Sequence, residues 1–135
     1  MQNHLSTLPP KSLLQQSAGI WEHIVELHPA AKENDECRNL VASSDFFARV
    51  LERYGDKLLS GMAQPCAEQD YANRLQQALQ QCSTEQQLKQ QLRCFRHTQM
   101  AILLWRELRG DVSLSTSLAH YSAIADACIQ QALQW

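Results

Sequence analysis

The chain has 135 residues, a formal net charge of −2 and 19% charged residues. That length supports one compact domain, and so even a balance of charge gives no sign of a nucleic-acid-binding protein. The longest uninterrupted apolar run, Met100 to Trp105, is far too short to span a bilayer. Leu, Ala, Gln and Glu recur throughout, with Gln in pairs such as Gln15-Gln16, Gln86-Gln87 and Gln130-Gln131. Val and Ile, which sheets favour, are scarce. Four Gly and four Pro are too few to punctuate a many-stranded fold. The expectation is an all-α chain, a helical bundle of about five or six helices around one long central helix.

Residues 1–11 read as a flexible leader, with Pro9-Pro10 holding the backbone extended. The single helical domain then covers 12–135. Ser12 can cap a first helix whose apolar face is Leu13, Ile20, Trp21, Ile24 and Val25, at helical spacing, and Pro29 stops it. A polar stretch from Ala30 to Glu36 precedes a short helix carrying Cys37, Leu40 and Val41. Ser43-Ser44-Asp45 supplies a capping hydroxyl and an acid for the positive helix end. Phe46, Phe47, Val50, Leu51 and Tyr54 form the stripe of that helix, and Gly55 is expected to end it as a left-handed cap. Leu58, Leu59 and Met62 suggest one more turn before Gly61 and Pro65 break it.

Tyr71, Leu75, Ala78 and Leu79 mark the next helix. Ser83-Thr84 opens the longest one, with Gln86 or Gln87 placed as in a capping box. Leu88, Leu92, Phe95, Ile102, Leu103 and Leu108 recur along it until Gly110. Twenty-odd residues make a rod of roughly 35–40 Å. The last helix starts near Ser113 or Ser115, and its apolar face reads as Leu118, Tyr121, Ala125, Cys128, Ile129 and Ala132. The sequence stops at Trp135 with no Gly and no polar tail, which reads as an incomplete part of a longer protein. Trp21, Phe46, Leu92 and Phe95 are expected to share one core.

No catalytic, cofactor-binding or metal-binding residue emerges. The glycines stand alone at 19, 55, 61 and 110, whereas phosphate-cradling loops need several together. His4, His23, His28, His97 and His120 are scattered and read as surface or packing histidines. The five cysteines, Cys37, Cys66, Cys82, Cys94 and Cys128, include no C-x-x-C, so neither a disulfide framework nor a zinc site is indicated. With no apolar run behind a basic N-terminal flank, a reducing cytoplasm fits. Glu33, Asp35 and Glu36 read as a solvated loop rather than a magnesium site. Glu22, His23 and Glu26 read as the polar face of a helix, since nothing suggests a cleft to shift their pKa values. Arg109-Gly110-Asp111 matches an adhesion tripeptide, but helix termination explains Gly110. Gln86 to Arg109 holds five Lys or Arg against the single acid Glu107, a hint of a basic face.

One pattern goes further. Leu92-Arg93-x-Phe95-Arg96-x-x-x-Met100-x-Ile102-x-x-Trp105-x-x-Leu108, followed by Leu118 and Ala125-Asp126-x-x-Ile129-x-x-Ala132, resembles the helical region of the glutamine synthetase adenylyltransferase family. Ser44-Asp45-Phe46 resembles a second, shorter signature, so the likeness is collinear over most of residues 12–135. The family continues its Phe-Arg with further arginines, where this chain has His97-Thr98-Gln99.

The resemblance implies the N-terminal part of a long bifunctional enzyme. Such an enzyme adds AMP from ATP to glutamine synthetase and removes it by phosphorolysis, under a PII-type signal protein. Its N-terminal catalytic motif, a Gly-rich turn then Ser-Asp-x-Asp holding Mg²⁺, would follow a position like Trp135, so no catalytic residue carries over. The chain alone is expected to be inactive and either to fray or to self-associate through residues 118–135. The alternative is a free-standing helical module for protein–protein interaction.

Overall fold

The computed structural model describes residues 9–64 and 70–135, which contain helices, turns and loops and no strand. Among these residues seven α-helices follow one another: α1 (Lys11–Gln16), α2 (Ala18–Leu27), α3 (Asp35–Ser43), α4 (Asp45–Ala63), α5 (Tyr71–Leu79), α6 (Glu85–Arg109) and α7 (Leu114–Gln134). A 3₁₀ turn, Pro29–Ala31, links α2 to α3. The all-α reading holds. Most of the expected leader, and Pro65 and Cys66, lie outside the described residues.

Side-chain caps set most helix starts. Asn34 Oδ1 accepts the Cys37 N–H at 3.0 Å, and Ser44 Oγ accepts that of Phe47 at 3.1 Å. Thr84 Oγ1 accepts the Gln87 N–H at 3.1 Å, while Gln87 Oε1 reaches back to the Ser83 N–H at 2.8 Å, a variant of the capping box. Ser113 Oγ accepts the Thr116 N–H at 3.2 Å. Each satisfies a donor that the first turn of a helix leaves without a partner. Gly110 closes α6 in the left-handed region, φ 79°, which a side chain would resist.

Three local expectations need correction. The first helix begins at Lys11 and divides at Ser17, whose φ and ψ of −91° and 1° leave the helical region. The two pieces therefore do not share one buried face. Ile24 is fully buried, but Ile20 is 52% exposed and Leu13 is also open. Gly55 does not end α4 and is not left-handed. The chain only kinks at Tyr54, φ −126° and ψ 33°, and the helix continues through Gly61 to Ala63. Gly55 is needed for a different reason. The ring of His28 lies so close that a Cβ there would sit 2.3 Å from its Cγ.

The expected single core is two clusters. Ile24, Cys37, Leu40, Val41, Phe47, Leu51 and Leu58 form the first with Ala101 and Ile102 of α6, and Trp21 and Phe46 are only partly buried against it. Tyr71, Leu75, Leu79, Leu88, Phe95, Leu103, Ile124 and Ala127 form the second, with Leu92 at its edge. The central helix α6 thus contributes to both, as expected of a helix whose apolar residues drift around its axis.

The phase of α7 also differs from the sequence reading. Its buried side is Ser117, His120, Ile124 and Ala127. His120 is admitted because its Nδ1 lies 2.7 Å from the Tyr71 hydroxyl in a hydrogen bond, whereas the buried Ser117 hydroxyl has no hydrogen-bond partner among the described residues. The expected stripe is rotated away from this side. Leu118 and Ile129 are more than half exposed, and Tyr121 and Cys128 are only partly buried against the second cluster.

Candidate functional site

Of the groups that tempted a catalytic reading, Glu36, His23, Arg109 and Asp111 have structural partners. Asp35 and Glu36 form the first turn of α3. Glu36 accepts from Trp105 Nε1 at 3.2 Å and lies 3.6 Å from the Arg109 Nε. Arg109 also stacks on the Trp105 ring at 4.8 Å, so these residues tie the start of α3 to the end of α6. Arg109, Gly110 and Asp111 form the α6 terminus, with Asp111 Oδ2 3.4 Å from Arg109. His23 pairs with Glu52 at 2.9 Å. Glu22 and Glu26 are exposed on α2.

Cys37, Cys82, Cys94 and Cys128 are free thiols. Burial, with some help from Glu36, pushes the Cys37 thiol up to about 12. Among the described residues no group of three or more His, Cys, Asp or Glu side chains is arranged to hold a metal ion. No helix among them is long and apolar enough to cross a membrane.

A different feature is assembled by the fold. Phe46 from α4, Arg96, His97 and Met100 from α6, and Tyr121, Ile124 and Ala125 from α7 line an open groove of about 460 Å³. Phe46 and His97 meet edge to face, with ring centroids 5.9 Å apart. Cations gather along the α4–α6 edge. Burial first, then Arg96, Arg93 and Arg53, lower the pKa of His97. Burial raises the pKa of the Cys94 thiol, and the nearby Lys57 and Arg53 partly offset that rise. Of the acids nearby, Glu107 accepts from the Tyr121 hydroxyl at 3.5 Å, Asp126 lies on the exposed side of α7, Asp45 is exposed beside Phe46, and Glu52 and Asp56 on α4 face His23 and His28.

The basic excess of α6 was legible in the sequence. The contribution of Arg53 and Lys57 was not, because they stand some forty residues earlier and join the patch only when α4 packs on α6. The groove continues into the open stripe of α7. In α7 only Asp126 carries a full charge, and Leu133 near its end is 82% exposed. A solvated helix face normally carries several charges.

Comparison with known proteins gives the family. The sequence model described as glutamate-ammonia ligase adenylyltransferase matches residues 34–135. The bifunctional glutamine synthetase adenylyltransferase/adenylyl-removing enzyme of Idiomarina loihiensis is 33% identical, covering 94% of this chain and 15% of its own length. The enzyme of the same description from Shewanella woodyi is 30% identical, covering 100% of this chain and 15% of its own. That of Pseudomonas aeruginosa is 33% identical over 75% of this chain and 11% of its own. No solved structure matches the chain. The chain belongs to the glutamine synthetase adenylyltransferase family. It spans about 15% of the length of the first two of these relatives.

Proposed function

We propose that this chain acts as the N-terminal helical part of a bifunctional enzyme that adds AMP to glutamine synthetase and removes it. In this reading the enzyme works in the cytoplasm with ATP and Mg²⁺, answers to a PII-type signal protein, and keeps its catalytic acids on the nucleotidyltransferase core. The 135 residues form one helical domain that braces that core. The observation that carries the reading is the family match over residues 34–135, and the open face of α7 agrees with it. A helix apolar on more than one side is buried from more than one side, and an exposed apolar stripe marks a surface awaiting a partner. Deprived of that cover, the chain self-associates through residues 118–135.

The test is replacement. This chain is exchanged for its matching segment in the Idiomarina loihiensis enzyme, and AMP release from adenylylated glutamine synthetase is followed by mass with phosphate and Mg²⁺ present. The expected rate lies within about tenfold of the unmodified enzyme, a barrier change of about 1.4 kcal/mol or less. A soluble, folded replacement that no longer removes AMP contradicts the reading. The 135-residue chain alone, in the same assay, is expected to give no turnover above background.

A further inference from the structure

We propose that the groove between α6 and α7, with the cations along its α4–α6 edge, seats an acidic amphipathic helix contributed by the remainder of a long adenylyltransferase polypeptide. The inference rests on the family reading above and adds the chemistry and the place of one internal contact.

The groove and its continuation along α7 are apolar. Phe46, Met100, Tyr121 and Ala125 line it. Its α7 wall belongs to the stripe Leu118, Tyr121, Ala125, Cys128, Ile129 and Ala132. Fourteen helical steps separate the ends of that stripe, roughly 21 Å at 1.5 Å per residue. That is longer than a nucleotide-sized ligand and matches about four turns of a helix laid alongside. Anchors every third or fourth residue are how an amphipathic helix occupies such a groove.

Charge identifies the flank of that helix. Among the described residues Arg53, Lys57, Arg93 and Arg96 form no ion pair with a carboxylate, whereas Lys89 has Glu85 at 3.1 Å and Arg109 has both Glu36 and Asp111. A partner laid over this edge without acids would strip water from unpaired cations, an unfavourable step. Glu or Asp on the flank of the arriving helix removes that penalty and rejects basic competitors.

The source follows from tethering. In the long relatives the matching segment is about 15% of the polypeptide. Any helix in the remainder is therefore held nearby at a high effective concentration, ahead of a free partner of equal affinity.

Overlapping 20-residue peptides covering the whole Idiomarina loihiensis enzyme, together with peptides of glutamine synthetase, are arrayed and probed with the labelled 135-residue chain. Arg93→Glu/Arg96→Glu and Ala125→Trp chains are probed in parallel, each checked for helical content by circular dichroism. Arg93, Arg96 and Ala125 are exposed, so the variants keep the core. The expected result is retention on acidic amphipathic segments outside the matched 15%. The charge reversal reduces it at least tenfold, and so does Ala125→Trp, whose indole fills the groove.

Four outcomes overturn the proposal: no retained segment, retention indifferent to both variants, strongest retention on basic segments, or retention confined to the matched part or to glutamine synthetase. The replacement enzyme's removal of AMP is measured independently of these peptides, so failure of one test leaves the other standing.

Discussion

Gly55→Ala tests the packing of α4 against the segment before it. A Cβ at this position would lie 2.3 Å from His28 Cγ, 2.4 Å from Cδ2 and 2.6 Å from Nδ1, far inside contact distance. The ring has little freedom to retreat, because its Nε2–H donates to the Glu52 carbonyl at 2.8 Å and its side chain is only 14% exposed. Forcing it aside costs about 1–3 kcal/mol in overpacking, and the hydrogen bond contributes about another 0.5–1.5 kcal/mol. Against this, Ala is preferred over Gly within a helix by about 1 kcal/mol. The net loss is about 2 kcal/mol, which at about 2.1 cal/mol/K per residue lowers Tm by about 7 °C. Urea unfolding followed by circular dichroism at 222 nm measures it. The same substitution in a His28→Ala background has no ring to meet and should be neutral, or stabilising by about 1 kcal/mol. An equal loss in both backgrounds, or a gain in the native one, would refute the contact.

Phe95→Ala should destabilise by about 3–5 kcal/mol, since the ring is buried in the second cluster and its removal leaves a cavity; a loss below about 1 kcal/mol, typical of surface changes, would place the ring elsewhere. The lowered pKa of His97 predicts acid sensitivity. Its folded value lies below its unfolded one, so the unfolded chain takes up the proton first. Stability is therefore full above the ordinary histidine range, and is lost as pH falls through that range toward the folded value. His97→Gln should remove this part of the acid slope in urea titrations at pH 7.5, 6.5 and 5.5; an unchanged slope would mean that burial and the neighbouring arginines do not lower the His97 pKa.

How much the sequence disclosed divides along physical lines. Ser44, Thr84, Ser113 and Gly110 were legible because a cap is a local event, fixed by a hydroxyl or a left-handed residue and the next turn. The long α6, with residues facing two sides, followed from its drifting apolar pattern. Gly55 was misread because a helical glycine required by a ring 27 residues away looks the same in sequence as one required by a turn. The phase of α7 was misread for a related reason. Hydropathy assigns the most apolar stripe to the core, yet Ser117 and His120 are buried and Leu118 and Ile129 are not. A hydrogen bond with Tyr71, 49 residues away, makes His120 acceptable inside. The groove was half legible, in the basic residues of α6 but not in Arg53 and Lys57, which only the packing of α4 brings in.

Among the described residues nothing covers the outward face of α7, where Leu118, Ile129 and Leu133 are exposed, and hydrogen exchange is the measurement that reads this. Backbone amides of the isolated chain are followed across a concentration series, with light scattering recorded on the same samples. An uncovered α7 exchanges faster than α6 at low concentration, or its protection rises together with the scattering mass as copies associate through residues 118–135. A chain that stays monomeric at every concentration, with α7 as strongly protected as α6, would contradict it.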